Sequence, residues 1–152
     1  MELINILGQI GTIAAAVFAG WALWQNSRNN RKQTNIQAFL AYTERFERVM
    51  EAFPAEACQA RFDLEQTLPL ESEDLTGAVL RYLNLTSEEF YLWKRGYLDT
   101  QVWQIWEREI QRMLRSPLFR REWPKLVTEF TSFQEFIDYI RNVQRRGRDA
   151  AA

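Results

Sequence analysis

The chain has 152 residues, and its 19 basic and 20 acidic side chains leave a formal charge of −1. That balance lacks the global basic field of a nucleic-acid binder, so nucleic acid is not an expected partner. Histidine is absent and Cys58 is the single cysteine, which removes the usual general base near neutral pH, the commonest metal ligand and any internal disulfide.

Taken in order, the first feature is Leu3 to Trp24, LINILGQIGTIAAAVFAGWALW. No charged side chain occurs between Glu2 and Arg28. As a helix this run extends about 33 Å, enough to cross a hydrocarbon core of roughly 30 Å. A secretory signal would want a positive start and a shorter apolar run, with no basic cluster behind it. A buried helix of a soluble bundle is also apolar all round, but Trp21 and Trp24 stand at the charged end, where indoles settle at a membrane interface. Arg28, Arg31 and Lys32 follow on one side only. The positive-inside rule therefore predicts a single-pass inner-membrane protein, N-out, with its carboxyl-terminal part in the cytoplasm.

On a helical wheel the span divides into a bulky face and a face of small and polar groups. Gly8, Thr12, Ala16 and Gly20 recur every four residues, with Gly11, Ala15 and Ala19 in the adjacent row. This small-xxx-small pattern lets two backbones approach closely in lipid, and Asn5, Gln9 and Thr12 add polar contacts. The expectation is a homo-oligomer associated through this seam. A dimer needs one such surface, whereas a pore would need a second one and a water-lined polar face.

Beyond the span, QNSRNNRKQTN is polar, and the helix continues, bends or loosens there. Ile36, Phe39, Leu40, Thr43, Phe46, Met50 and Phe53 then repeat at three and four, predicting an amphipathic helix that Pro54 closes. Glu44 and Arg48 stand in the favourable i, i+4 order, and Glu44, Glu47 and Glu51 read as a solvated face. Ala55 to Thr67 suits a short helix in which Cys58 is a small packing residue. Ser72 is a good N-cap with Glu73 and Asp74 in the first turn. The helix it opens carries Leu75, Val79, Tyr82, Leu83, Thr86, Phe90 and Trp93 on one face and stops at Gly96. Within it, Glu88 and Glu89 read as surface charge, as do Glu71, Glu73 and Asp74.

Asp99 caps a further helix with Val102, Ile105, Trp106, Ile110, Met113 and Leu114 as its apolar positions. Ser116 and Pro117 restart the chain as N-cap and N1. Trp123 and Pro124 mark a kink or boundary, and Ser132 is placed to cap a last helix carrying Phe133, Phe136, Ile137 and Ile140. Nothing alternates convincingly as a strand. The expected fold is all-α: a transmembrane helix over 1–27 continuing into a helical cytoplasmic domain over 28–141, then a basic flexible tail over 142–152; Arg141 at this boundary and Arg145, Arg146 and Arg148 beyond it can meet anionic lipid. Acidic residues concentrate in Glu51 to Glu89, with nine acids against two bases, while Lys94 to Asp149 holds twelve bases against eight acids.

The run YLNLTSEEFYLWKRGYLDTQVWQIW (Tyr82 to Trp106), followed by SPLFRREWP (Ser116 to Pro124) and EFTSFQEFIDYI (Glu129 to Ile140), resembles an uncharacterised bacterial family of small proteins. The resemblance implies one amino-terminal membrane helix and a helical domain of unknown function. In layout alone the chain is also similar to the membrane accessory protein of some type VI CRISPR systems, which implies a defence accessory role and a pore. Helical domains of that kind that act on RNA use an Arg followed a few residues later by His, and this chain supplies no His.

No GxSxG, phosphate loop or GxGxxG occurs. The leading expectation is thus a membrane-anchored interaction protein, not an enzyme, with no cofactor and no metal, whose partners are membrane lipid, further copies of itself and an unidentified protein. The alternative is a hydrolase or nuclease with carboxylate chemistry, motivated by the acidic Glu51 to Glu89 stretch.

Overall fold

The computed structural model describes residues 25–26, 33–61 and 68–149. The chain divides into two compact units, Met1–Ala38 and Phe39–Ala152. In the first unit, residues 25–26 and 33–38 are helical. The predicted membrane span, its seam and its basic flank lie outside the described residues. Among the described residues, no helix is long and apolar enough to cross a membrane.

The second unit is a helical bundle, with no strand among its described residues. Helix α1 covers residues 39–51, and a turn at Ala52 and Phe53 ends it before Pro54, as the amide-free proline requires. Then follow α2 (Ala55–Ala60), α3 (Glu73–Lys94), α4 (Thr100–Arg115), α5 (Pro117–Leu126), a 3-10 turn (Val127–Phe130) and α6 (Gln134–Asp149). Helix α4 packs against α3, α5 and α6, and α3 also packs against α5.

Local chemistry sets the starts and stops. The Ser72 hydroxyl accepts from the Leu75 amide at 3.1 Å, and Asp99 accepts from the Gln101 amide at 2.7 Å. The Ser116 hydroxyl accepts from the Phe119 amide at 3.4 Å while donating to the Met113 carbonyl at 2.7 Å, so one buried side chain serves the end of α4 and the start of α5. Gly96 has φ of 74°, the left-handed turn that glycine adopts without a Cβ clash.

Several expectations are corrected. Ile105 is 55% exposed, while Trp103, two residues earlier, is buried. The inward stripe of α4 therefore includes Trp103, Ile110, Met113 and Leu114. Trp103 stacks on Trp93 with ring centroids 4.9 Å apart and meets Phe90 edge-on. Its indole N–H has no hydrogen-bond partner among the described residues, at a cost of about 1–3 kcal/mol. Burying on the order of 200 Å² of indole at ~25 cal/mol per Å² contributes roughly 5 kcal/mol, which decides the placement. Pro124 does not end α5, which runs on to Leu126 before tightening into the 3-10 turn. Helix α6 begins at Gln134, and the Phe133 carbonyl takes the amides of Phe136 and Ile137; Ser132 stands one position too early to be the cap. The helix also continues through residues 142–149, expected as tail, because buried Val143 extends the stripe of Phe136 and Ile140 and the Gln144 amide donates to the Leu114 carbonyl.

Candidate functional site

Among the described residues, packing carries two carboxylates into the core. One is Glu122 on α5, with no exposed side-chain surface. Thr76 of α3 donates to its Oε2 at 2.9 Å, Arg121 donates to its Oε1 at 2.7 Å, and Lys125 reaches both oxygens at 3.2 and 3.3 Å. Arg121 and Lys125 extend the network to the Pro69 carbonyl and Glu71. Burial pushes the Glu122 carboxyl up, but the hydrogen bonds from Thr76, Arg121 and Lys125 outweigh it and hold the group below the ordinary carboxylate range. This ionised knot ties α5 to α3 and to loop residues 69–71.

The other carboxylate is Glu89 on α3, 6% exposed. It lines a cavity of about 200 Å³ bounded by Tyr42, Thr43 and Phe46 of α1, Tyr82 of α3, and Ile105, Trp106, Glu109 and Ile110 of α4. Trp106 lies against Phe39 and Tyr42, each at 5.7 Å between centroids, and Tyr82 meets Phe46 at 6.4 Å. Glu89 has no hydrogen-bond partner among the described residues. The nearest guanidinium, Arg45, is engaged by Glu88 through two nitrogens at 2.6 and 3.0 Å. Burial pushes the Glu89 carboxyl up to about 8; Arg45 opposes the shift and Glu88 adds to it. At neutral pH the group is mostly protonated, a hydrogen-bond donor inside an aromatic pocket. Burial, followed by the charge of Glu89, also raises the Tyr82 phenol, and burial raises Tyr139.

The reading of Glu89 as surface charge is thus corrected, whereas its neighbour Glu88 is exposed and paired. The signal for the difference was present. Leu75, Val79, Tyr82, Thr86, Glu89 and Trp93 follow alternating steps of four and three, a heptad-like seam on which Glu89 stands and Glu88 does not. Other sequence readings hold: Arg48 pairs with Glu44 at 2.9 Å, and Cys58 packs beside the Phe53 carbonyl.

The predicted association residues Gly8, Gly11, Thr12, Ala15, Ala16, Ala19 and Gly20 and the interface residues Trp21, Trp24, Arg28, Arg31 and Lys32 all fall outside the described residues. The structure brings together a different set, Tyr42, Phe46, Tyr82, Glu89 and Trp106, which sequence spacing alone does not collect from three helices. No protein-family model, curated protein or solved structure matches the chain. The class that fold and site define is a helical bundle with an aromatic, acid-bearing cleft.

Proposed function

We propose that the protein is a membrane-anchored interaction module, with a helical bundle held at the cytoplasmic face of the inner membrane and self-associated through its span. The observation that carries this reading is the uncharged run from Leu3 to Trp24, followed at once by Arg28, Arg31 and Lys32. The cleft of α1, α3 and α4 supports the interaction part, because a concave, mostly apolar surface with a few convergent polar groups is the usual form of a recognition site. Membrane fractionation tests the anchor: the intact chain is expected in the membrane pellet until detergent is added, and recovery in the soluble fraction overturns it. Replacing Ala16 or Gly20 by Leu is expected to weaken self-association in a bilayer, while Val17→Leu on the bulky face leaves it unchanged; equal behaviour of the two sets refutes the seam.

A second reading, hydrolysis by carboxylate chemistry, has one observation in its favour. Glu89 is a buried acid raised to about 8 in a cleft that also holds Glu109, the arrangement a general acid requires. Turnover of a phosphate ester or a glycoside that is lost in Glu89→Gln with the fold intact would replace the interaction reading.

A further inference from the structure

We propose that the cleft between α1, α3 and α4 binds a compact organic cation, an ammonium group on a short alkyl chain, with Glu89 as counter-ion and Tyr42, Phe46, Tyr82 and Trp106 as its aromatic wall. This deepens the interaction reading and rests on it only in treating the bundle as a binding body; it does not require the membrane anchor.

The first argument is charge. The titratable and charged groups around Glu89 are Tyr42 and Arg45 from α1, Tyr82 and Glu88 from α3, Glu109 from α4 and Tyr139 from α6. Arg45 is the cation in this set, and its guanidinium is engaged by Glu88 through two nitrogens. Glu109 stands 3.8 Å from Arg112 at the surface, a loose contact with both side chains more than half exposed. The cleft therefore has an excess of acid, and Glu89 lacks a donor. An anion would disfavour any ionisation of Glu89 and find Glu109 beside it, whereas a cation favours the ionised form of Glu89 and pairs with it.

The second argument is the wall. Rings of Tyr42, Phe46, Tyr82 and Trp106 border the same space, and the faces of such rings attract ammonium groups at about 0.5–2 kcal/mol apiece. Tyr42 already shows this affinity, with the Arg45 guanidinium 5.1 Å from its centroid. A hard divalent ion wants six or more oxygen ligands, which an aromatic wall does not provide. The third argument is size. A cavity of about 200 Å³ accommodates an ammonium group and a few methylenes, since one liquid water takes about 30 Å³. A free amine and the lysine side chain of a partner protein share this chemistry.

Binding a cation favours ionised Glu89, so below about pH 8 the ligand displaces a proton and affinity climbs with pH by up to about tenfold per unit, levelling off above it. The test is calorimetric titration of the full chain, in detergent, with n-butylammonium, with N-acetyl-lysine methylamide, and with n-pentanol as a neutral alcohol one methylene longer. Butylammonium is expected to bind at least tenfold more tightly than pentanol, more tightly as pH is raised, and at least tenfold more weakly to Glu89→Gln. Trp106→Leu is expected to weaken it as well, which keeps the test decisive if one variant fails to fold. Binding by both cations assigns the site to a lysine-bearing partner, and binding by butylammonium alone assigns it to a free amine. Equal affinity for pentanol, unchanged affinity in a folded Glu89→Gln, or no binding of either cation at pH 8 overturns the proposal. A soluble chain that still binds butylammonium would remove the anchor and leave this site standing.

Discussion

Glu89 and Glu122 are the same residue type, each on the inward seam of its helix, and the bundle treats them in opposite ways. Glu122 is met by Thr76, Arg121 and Lys125, so its charge survives burial. Glu89 is met by Tyr82, Phe46 and Trp106 around a cavity, so its proton survives instead. The difference comes from neighbours, since both are almost completely buried. A buried acid ringed by donors is a structural tie; one ringed by aromatics beside open space has unspent hydrogen-bonding capacity, and that is where a ligand gains most.

The comparison breaks most readily at Glu122. Glu122→Ala strands the buried part of Arg121 and the Thr76 hydroxyl, and urea denaturation is expected to show a loss of about 3–5 kcal/mol. Glu122→Gln keeps an acceptor for Thr76 and is expected to lose less. The Gln substitution at Glu89 should have the opposite sign. At pH 7 the unfolded chain has an ionised Glu89, so folding must take up a proton; the stability this group contributes is full below about pH 4.5 and is lost as pH rises through about 8. Glu89→Gln removes that proton uptake and is expected to be more stable than the parent by roughly 3 kcal/mol at pH 7 and little different at pH 4, at about 1.4 kcal/mol per pH unit. Melting temperatures of both chains across that range check it, and parallel curves would mean that Glu89 is not protonated in the fold.

Glu122 supplies the acid limb of the same profile. Its folded pKa is lowered, so its contribution is present above the ordinary carboxylate value and is lost as pH falls through the folded one. The smallest effect belongs to Arg45→Gln. Its ion pair with Glu88 is about half exposed on both sides and is worth no more than about 1 kcal/mol. Arg45 is nevertheless the group that opposes the rise of Glu89. Removing it is therefore expected to move the alkaline midpoint of the stability profile upward while barely changing stability at pH 5.

Local rules carried much of the architecture. Ser72, Asp99 and Ser116 cap where their side chains and following residues predict, Pro54 closes α1, and Gly96 turns left-handed, because each depends on a few adjacent backbone groups. The all-helical class followed from apolar spacing at three and four, including the Tyr82, Phe90, Met113 and Phe136 core positions. Periodicity was weaker at choosing between near neighbours. Ile105 and Trp103 are both apolar, and only the stacking of Trp103 on Trp93 and its edge-on contact with Phe90 decide which of them turns inward. The helical course of residues 142–149 escapes periodicity for the same reason, since Val143 and Gln144 find partners only once α6 lies on α4.

Charge was the least legible property. From spacing, Glu89 belongs to the α3 seam, but composition argues that a glutamate faces water, and nothing in the local sequence says that Arg45 is engaged by Glu88. Glu122 likewise needs Thr76, 46 residues away, to keep its charge. By itself the sequence determined the helices, most of their caps and the uncharged amino-terminal run, since those depend on residues within a turn or two of one another. Which buried acid keeps its proton, and that three helices leave an aromatic space beside one of them, only the tertiary structure decided, because solvation and hydrogen bonding are set by groups that the chain brings together from distant positions.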